Sequence, residues 1–168
     1  MGNKSTATIS WLSVLTMSIA AVLVIIGPVE RVTAFNNLFV VEEFSNYAKL
    51  LILLAAAFTL ILAMPYNKRE NILQFEFPIL ILFSVLGMMM MVSANDLISL
   101  YLGIELQSLS LYVLATIRRD SVKSAEAGLK YFVLGALSSG ILLYGMSMVY
   151  GFSGSTSFDK LSIVFDNY

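Results

Sequence analysis

Five stretches of this chain, at about 8–27, 45–65, 75–94, 96–117 and 127–150, are each apolar over roughly twenty residues. A helix rises 1.5 Å per residue, so roughly twenty residues cross a hydrocarbon core about 30 Å thick. Lipid offers no partner for backbone N–H and C=O groups, so spans of this length are helical. The fold class that follows is all-α and integral to a membrane: a bundle of about five transmembrane helices, read as a single membrane domain over 1–168. Composition supports this, since 58% of the residues are hydrophobic and only 12% charged, where a soluble domain carries roughly 25% charged residues. Pro28, Pro65 and Pro78 fall at span ends or in a first turn, where a missing N–H costs least. The third and fourth spans are joined only by "SAND", in which Asn95 and Asp96 are placed to cap the next helix.

The basic residues set the direction. With five spans, the N-terminus and the loops at 66–74 and 118–126 share one side of the membrane. That side carries Lys4, Lys68, Arg69, Arg118, Arg119 and Lys123, against Arg31 and Lys160 opposite and Lys49 at the mouth of the second span. An excess of Lys and Arg marks the cytoplasmic or matrix face, so the N-terminus and the two basic loops are expected there. The start, "MGNKST", comes close to an N-myristoylation pattern at Gly2. A chain with several spans gains little from such an anchor.

Several functions are excluded. The chain has no cysteine and no histidine, which removes disulfides, iron–sulfur ligation, haem ligation by His or Cys and ordinary zinc sites. A net charge of −1 points to no nucleic acid. No feature binds a redox cofactor or a metal.

One residue does not suit its surroundings. Glu105 lies nine residues past Asp96, which places it about 14 Å into the fourth span and near its middle. A charged residue at that depth costs at least about 2.5 kcal/mol, so it is expected to face protein or water and to be buried. Tyr101, Glu105, Ser108 and Tyr112 recur at spacings of four, three and four, a polar stripe on one helix face. Hydroxyls around a carboxylate can hold water and pass protons, which makes Glu105 the candidate proton-handling residue. Its plainer alternative is a hydrogen bond that locks two helices together. Tyr101 and Tyr112 also suit interfacial or packing roles.

Lys130, in "KSAEAGLKYF", has Glu126 four residues before it. It reads either as a snorkelling lysine in an exposed ion pair or as a step on a proton route to Glu105. Lys49 and Glu76 read as interfacial, and Arg118 and Arg119 as topology anchors. Gly135, Ala136, Ser139, Gly140 and Gly145 in the last span, and Met88 to Met91 in the third, read as packing residues.

The stretches "DLISLYLGIELQSLSLYVLA", "AEAGLKYFVLGALSSGILLYGMSMVYG" and "SGSTSF" resemble subunit 2, the bacterial subunit N type, of proton-pumping NADH:quinone oxidoreductase, respiratory complex I. The match is dense from about Asn71 to Phe158, and "LGIELQSL" around Glu105 is its most specific part. The resemblance implies an antiporter-like subunit of fourteen helices containing two inverted five-helix repeats, of which this chain matches an N-terminal part. It implies that Glu105 pairs with a lysine on a later, broken helix, which another polypeptide or segment would supply. It aligns Lys130 with a family lysine. The expected partners are the other membrane-arm subunits and the lipid bilayer. NADH, FMN, iron–sulfur clusters and quinone are expected elsewhere in the complex, with no cofactor on this chain. The expected location is the mitochondrial inner membrane or the bacterial cytoplasmic membrane. A subunit of a related cation/proton antiporter or membrane-bound hydrogenase is the alternative, and a structural scaffold is a second one.

Overall fold

A computed structural model describes residues 3–28, 30–70, 72 and 74–166, with side chains from Thr6 onward. Gly2, Asn71 and the side chain of Lys4 lie outside the described residues. Five long helices follow in chain order: α1 (Asn3–Ile26), α2 (Glu43–Arg69), α3 (Glu76–Ser93), α4 (Leu97–Ala115) and α5 (Val122–Ser153). A short helix, α6 (Phe158–Asp166), comes last, and a hairpin of β1 (Val32–Ala34) and β2 (Phe39–Val41) joins α1 to α2. All five long helices are apolar and long enough to cross a membrane.

Several helices run past the apolar windows because capped polar turns extend them. At α2 the Glu42 N–H donates to Ser45 Oγ at 3.0 Å, half of a capping box. At its other end α2 continues through residues 66–69, so Pro65 lies inside it, four residues before its end, and not at a helix end. At α5 the Ser121 hydroxyl accepts from Ser124 N–H, and Gly154 closes the other end in the left-handed conformation (φ 69°). Its 32 residues make α5 about 48 Å long, more than the hydrocarbon thickness.

The core forms where α1, α2 and α3 meet, around Met17, Leu53, Ala56, Leu60 and Val85. Hydroxyls in these spans bond to their own helix: Ser13 Oγ donates to the Ile9 carbonyl at 2.9 Å and Ser10 Oγ to the Thr6 carbonyl at 3.0 Å. Such bonds satisfy a side chain where water is absent. Helices α3 and α4 pack closely at Gly87 and Gly103. A Cβ on Gly87 would stand 2.6 Å from Gln107 N and 2.7 Å from the Gly103 carbonyl oxygen. Lipid provides no hydrophobic drive between helices, so such small-residue contact is a main source of association. Met91 packs beside Gly103, and Met88 and Met89 lie against the core.

The β-hairpin has no counterpart in the apolar pattern. Its strands pair Val32 with Val41, Thr33 with Val40 and Ala34 with Phe39. Its turn places Phe35, Asn36 and Asn37 consecutively at positive φ (53°, 55° and 66°). Asparagine tolerates that region, whereas phenylalanine rarely enters it. At this end of the bundle Asn95 gathers the connections. Its side-chain amide donates to the Asn37 carbonyl at 3.2 Å and to Asp159 Oδ2 at 2.9 Å, and Asp159 pairs with Arg31 at 2.8 Å.

The opposite end carries the basic loops. There Arg118 pairs with Glu70 at 2.5 Å and Arg119 with Glu76 at 3.1 Å, so the α4–α5 loop is tied to the end of α2 and the start of α3.

Candidate proton-handling site

Helix α4 is positioned from its first residue. The Asp96 carboxylate accepts from Ile98 N–H at 2.8 Å, as the N-cap role requires. It also accepts from the Thr156 hydroxyl at 2.6 Å, while Leu97 N–H donates to the Thr156 carbonyl at 2.9 Å. The start of α4 is thus pinned to the end of α5. Three further contacts set the register of the two antiparallel helices. A Cβ on Gly128 would collide with the Thr116 side chain, and one on Gly135 with the Tyr112 ring. The third is Ser139, which meets Tyr101 and Glu105.

At that third contact the Ser139 hydroxyl donates to Glu105 Oε1, and Tyr101 Oη lies 2.8 Å from Ser139 Oγ. A serine hydroxyl has one proton to give. Since Ser139 gives it to Glu105, Tyr101 is the donor in the bond to Ser139. The three groups form one directed chain ending on the carboxylate.

Two members of the predicted stripe take other places. Ser108 is half-buried and is not hydrogen-bonded to Glu105. The Tyr112 ring packs edge-on against Tyr131 (centroids 4.7 Å apart) and Phe132 (5.8 Å), wedged over Gly135. Gly140 and Gly145, read from the sequence as packing residues, have open space where a Cβ would be.

The expectation of a buried Glu105 is met only in part. Glu105 is half-buried, and the buried carboxylate is that of Asp96, 5% exposed. Helix α5 meets Glu105 through Ser139, while Ile98, Leu102 and Leu109 on the adjoining stripe of α4 are about half exposed. Helix α5 itself is open, with Gly128 its one buried residue.

Lys130 is exposed and pairs with Glu126 at 2.6 Å. Because α5 begins at Val122, Lys130 is its ninth residue and stands nine residues from Ser139, about 14 Å along the helix. Lys49 is half-buried near the start of α2. Outside the spans, the hydrogen bond from Arg118 holds the Glu70 carboxyl below its ordinary range. The bond from Asn95, then that from Arg31, does the same for Asp159. Among the described residues no cluster of three His, Cys, Asp or Glu side chains could hold a metal ion.

The one residue central to this site that the sequence pattern did not single out for it is Ser139. It sits in a run of small residues that packing alone explains; what marks it is its register opposite Glu105.

A five-helix membrane bundle with a carboxylate wired to hydroxyls inside it has the antiporter-like membrane fold. Residues 94–168 match the family model described as NADH:quinone oxidoreductase/Mrp antiporter, TM. Within that class the chain is similar to an N-terminal part of NADH-quinone oxidoreductase subunit N. It is 56% identical over 161 residues to that subunit of Paramagnetospirillum magneticum and 58% over 162 residues to that of Rhodospirillum rubrum, covering 96% and 95% of this chain. The chain spans about a third of the length of these curated relatives, 33% in both cases. A solved structure of respiratory complex I from Thermus thermophilus with bound aureothin matches with a TM-score of 0.76 at 29% identity, over 90% of this chain and 33% of that one. An archaeal membrane-bound sulfane sulfur reductase shares the fold, with a TM-score of 0.69 at 23% identity over 94% of this chain and 33% of that one.

Proposed function

We propose that this chain is the first part of a proton-translocating membrane-arm subunit of NADH:quinone oxidoreductase, with Glu105 as its proton-handling residue. The observation that carries the reading is a carboxylate near the middle of α4 that receives a directed chain of hydroxyl hydrogen bonds. A residue that only locked two helices together would need no ionisable group, and a charge in a span is a functional feature by default. The exposed part of Glu105 is where the lysine of a broken helix would approach, from the two thirds of the subunit that its relatives have in addition. Lys130 serves as a step on the route from the basic-loop side. The redox chemistry, with NADH, FMN, iron–sulfur clusters and quinone, belongs to other subunits. The membrane is the bacterial cytoplasmic membrane, since the relatives named above are bacterial, and the N-terminus and basic loops face the cytoplasm. The mitochondrial alternative has no support in those relatives. Similarity to subunit N over nearly the whole chain favours complex I over a hydrogenase or antiporter subunit.

The test is Glu105→Gln in the assembled complex. Gln keeps size and hydrogen bonding but cannot ionise. Quinone-coupled turnover and proton pumping should fall, while electron transfer from NADH to an acceptor that bypasses quinone is spared. Unchanged pumping rate and stoichiometry in assembled Glu105→Gln complex would make Glu105 a structural residue.

A further inference from the structure

We infer that Ser139 and Tyr101 form a proton-relay branch leading from Glu105 toward the hairpin end of the bundle, away from the basic loops. The inference rests on the reading of Glu105 as proton-handling and adds the direction and the residues of one of its exits.

Three observations carry it. Ser139 Oγ touches both Glu105 Oε1 and Tyr101 Oη, so a single hydroxyl bridges the carboxylate to the phenol. Tyr101 stands one helical turn from Glu105, on the side of Asp96 and the hairpin. Beyond Ser139 and Tyr101, a cavity of about 370 Å³ opens between α4 and α5, lined among others by Tyr101, Ser147, Tyr150 and Thr156. The space is an open groove with a mostly apolar lining, in which the hydroxyls of Tyr101, Ser147 and Tyr150 are the polar partners a water would use. At its far wall, Thr156 hydrogen-bonds Asp96, the buried carboxylate at the end of α4.

A protonated Glu105 donates its O–H to Ser139 Oγ. Ser139 passes its own proton to Tyr101 Oη, and Tyr101 passes its phenolic proton to water in the cavity. Each hydroxyl gains one proton and loses one, and the net change is one proton moved from the carboxyl to water. The transfer leaves Tyr101 donating to Ser139 and Ser139 donating to the Glu105 carboxylate, along the same contacts Tyr101–Ser139–Glu105 that the structure holds. Before the next transfer both hydroxyls must turn, so the state of Glu105 sets the direction of the chain.

The experiment uses the assembled complex in sealed inverted vesicles. Ser139→Ala removes the bridging hydroxyl, Ser139→Thr keeps it, and Tyr101→Phe keeps the ring but loses the phenol. Ala should slow proton pumping about tenfold and Phe severalfold, the order expected for one lost hydrogen bond in each case, and Thr should restore most of the rate. In infrared difference spectra, the carboxyl C=O band that Glu105→Gln abolishes should shift in Ser139→Ala. If Glu105→Gln stops pumping while Ala at 139 and Phe at 101 run at the wild-type rate, the branch is wrong and the reading of Glu105 stands. If Thr is no better than Ala, Ser139 acts by packing and the branch is likewise wrong. If Glu105→Gln pumps normally, both fall. Should Ser139→Ala not assemble, Tyr101→Phe decides the branch alone.

Discussion

Gly87 and Gly103 face each other across α3 and α4 with no room between them for a side chain: a Cβ on Gly103 would stand 2.9 Å from the Gly87 carbonyl oxygen and 2.8 Å from Met91 Cγ. The first atom is backbone and cannot swing away. Gly103→Val should therefore push α3 from α4 and cost about 1–3 kcal/mol, the usual range for overpacking. Assembled complex on native gels should fall. Gly140→Ala, where a Cβ meets open space, should assemble at the wild-type level. Equal loss in both variants would mean that the α3–α4 contact is not special.

The pairing of Glu70 with Arg118 gives a pH dependence of known sign. The folded-state pKa of Glu70 lies below its ordinary value because Arg118 donates to it. A carboxylate shifted down contributes its stabilisation above the ordinary glutamate pKa of about 4.3. That contribution is lost as the pH falls through the lower, folded value. Spin labels at Lys68 and Asp120 should thus hold a narrow distance distribution at pH 7 and broaden only below the ordinary carboxylate range. Glu70→Gln should broaden it at pH 7 and weaken the pH dependence.

The spans were legible in the sequence because hydrocarbon thickness fixes how many apolar residues each needs. Their ends were not. The capping turns at Glu42 and Ser121 are polar, so the apolar pattern stops before the helix does; Pro65 reads as terminal because the turn after it, with Asn67, Lys68 and Arg69, is polar too. The hairpin escaped because strands of three residues carry too little alternation to read. Glu105 announced itself, since a carboxylate in a span has few bland explanations. Ser139 did not, because a serine among glycines and alanines looks like packing until the α4–α5 register sets it opposite Glu105. The Gly87–Gly103 contact was hidden in the same way, since it depends on how two helices are staggered. Burial was overestimated at Glu105 because depth along a helix says nothing about which neighbours close around it.

Topology can be read from labelling. Five helices place the α4–α5 loop and the β-hairpin on opposite sides of the membrane, and the excess of basic residues is the ground for the proposal that the loop faces the cytoplasm. A cysteine at Asp120 should react with an impermeant reagent only from the cytoplasmic side. One at Asn36, in the hairpin turn, should react only from the opposite side. Labelling of both from one side would overturn the five-span arrangement, and exchange of the two sides would overturn the orientation alone.

Lys130 separates a route residue from a surface one. Its ion pair with Glu126 is exposed, with side chains 70% and 58% accessible. An (i, i+4) pair of that kind contributes only about 0.2–0.5 kcal/mol, so Lys130→Ala should not affect assembly. If Lys130 carries protons from the basic-loop side, pumping should nonetheless slow severalfold, less than in Glu105→Gln because the carboxylate itself remains. Lys130→Arg keeps the charge but does not release a proton at physiological pH, so it should be as slow as Ala. Glu126→Gln breaks the same ion pair while leaving the lysine in place, and should pump normally. Wild-type pumping in Lys130→Ala would show that the lysine only snorkels. Slow pumping in Ala and in Glu126→Gln, with Arg restoring the rate, would assign the effect to the ion pair and not to proton transfer.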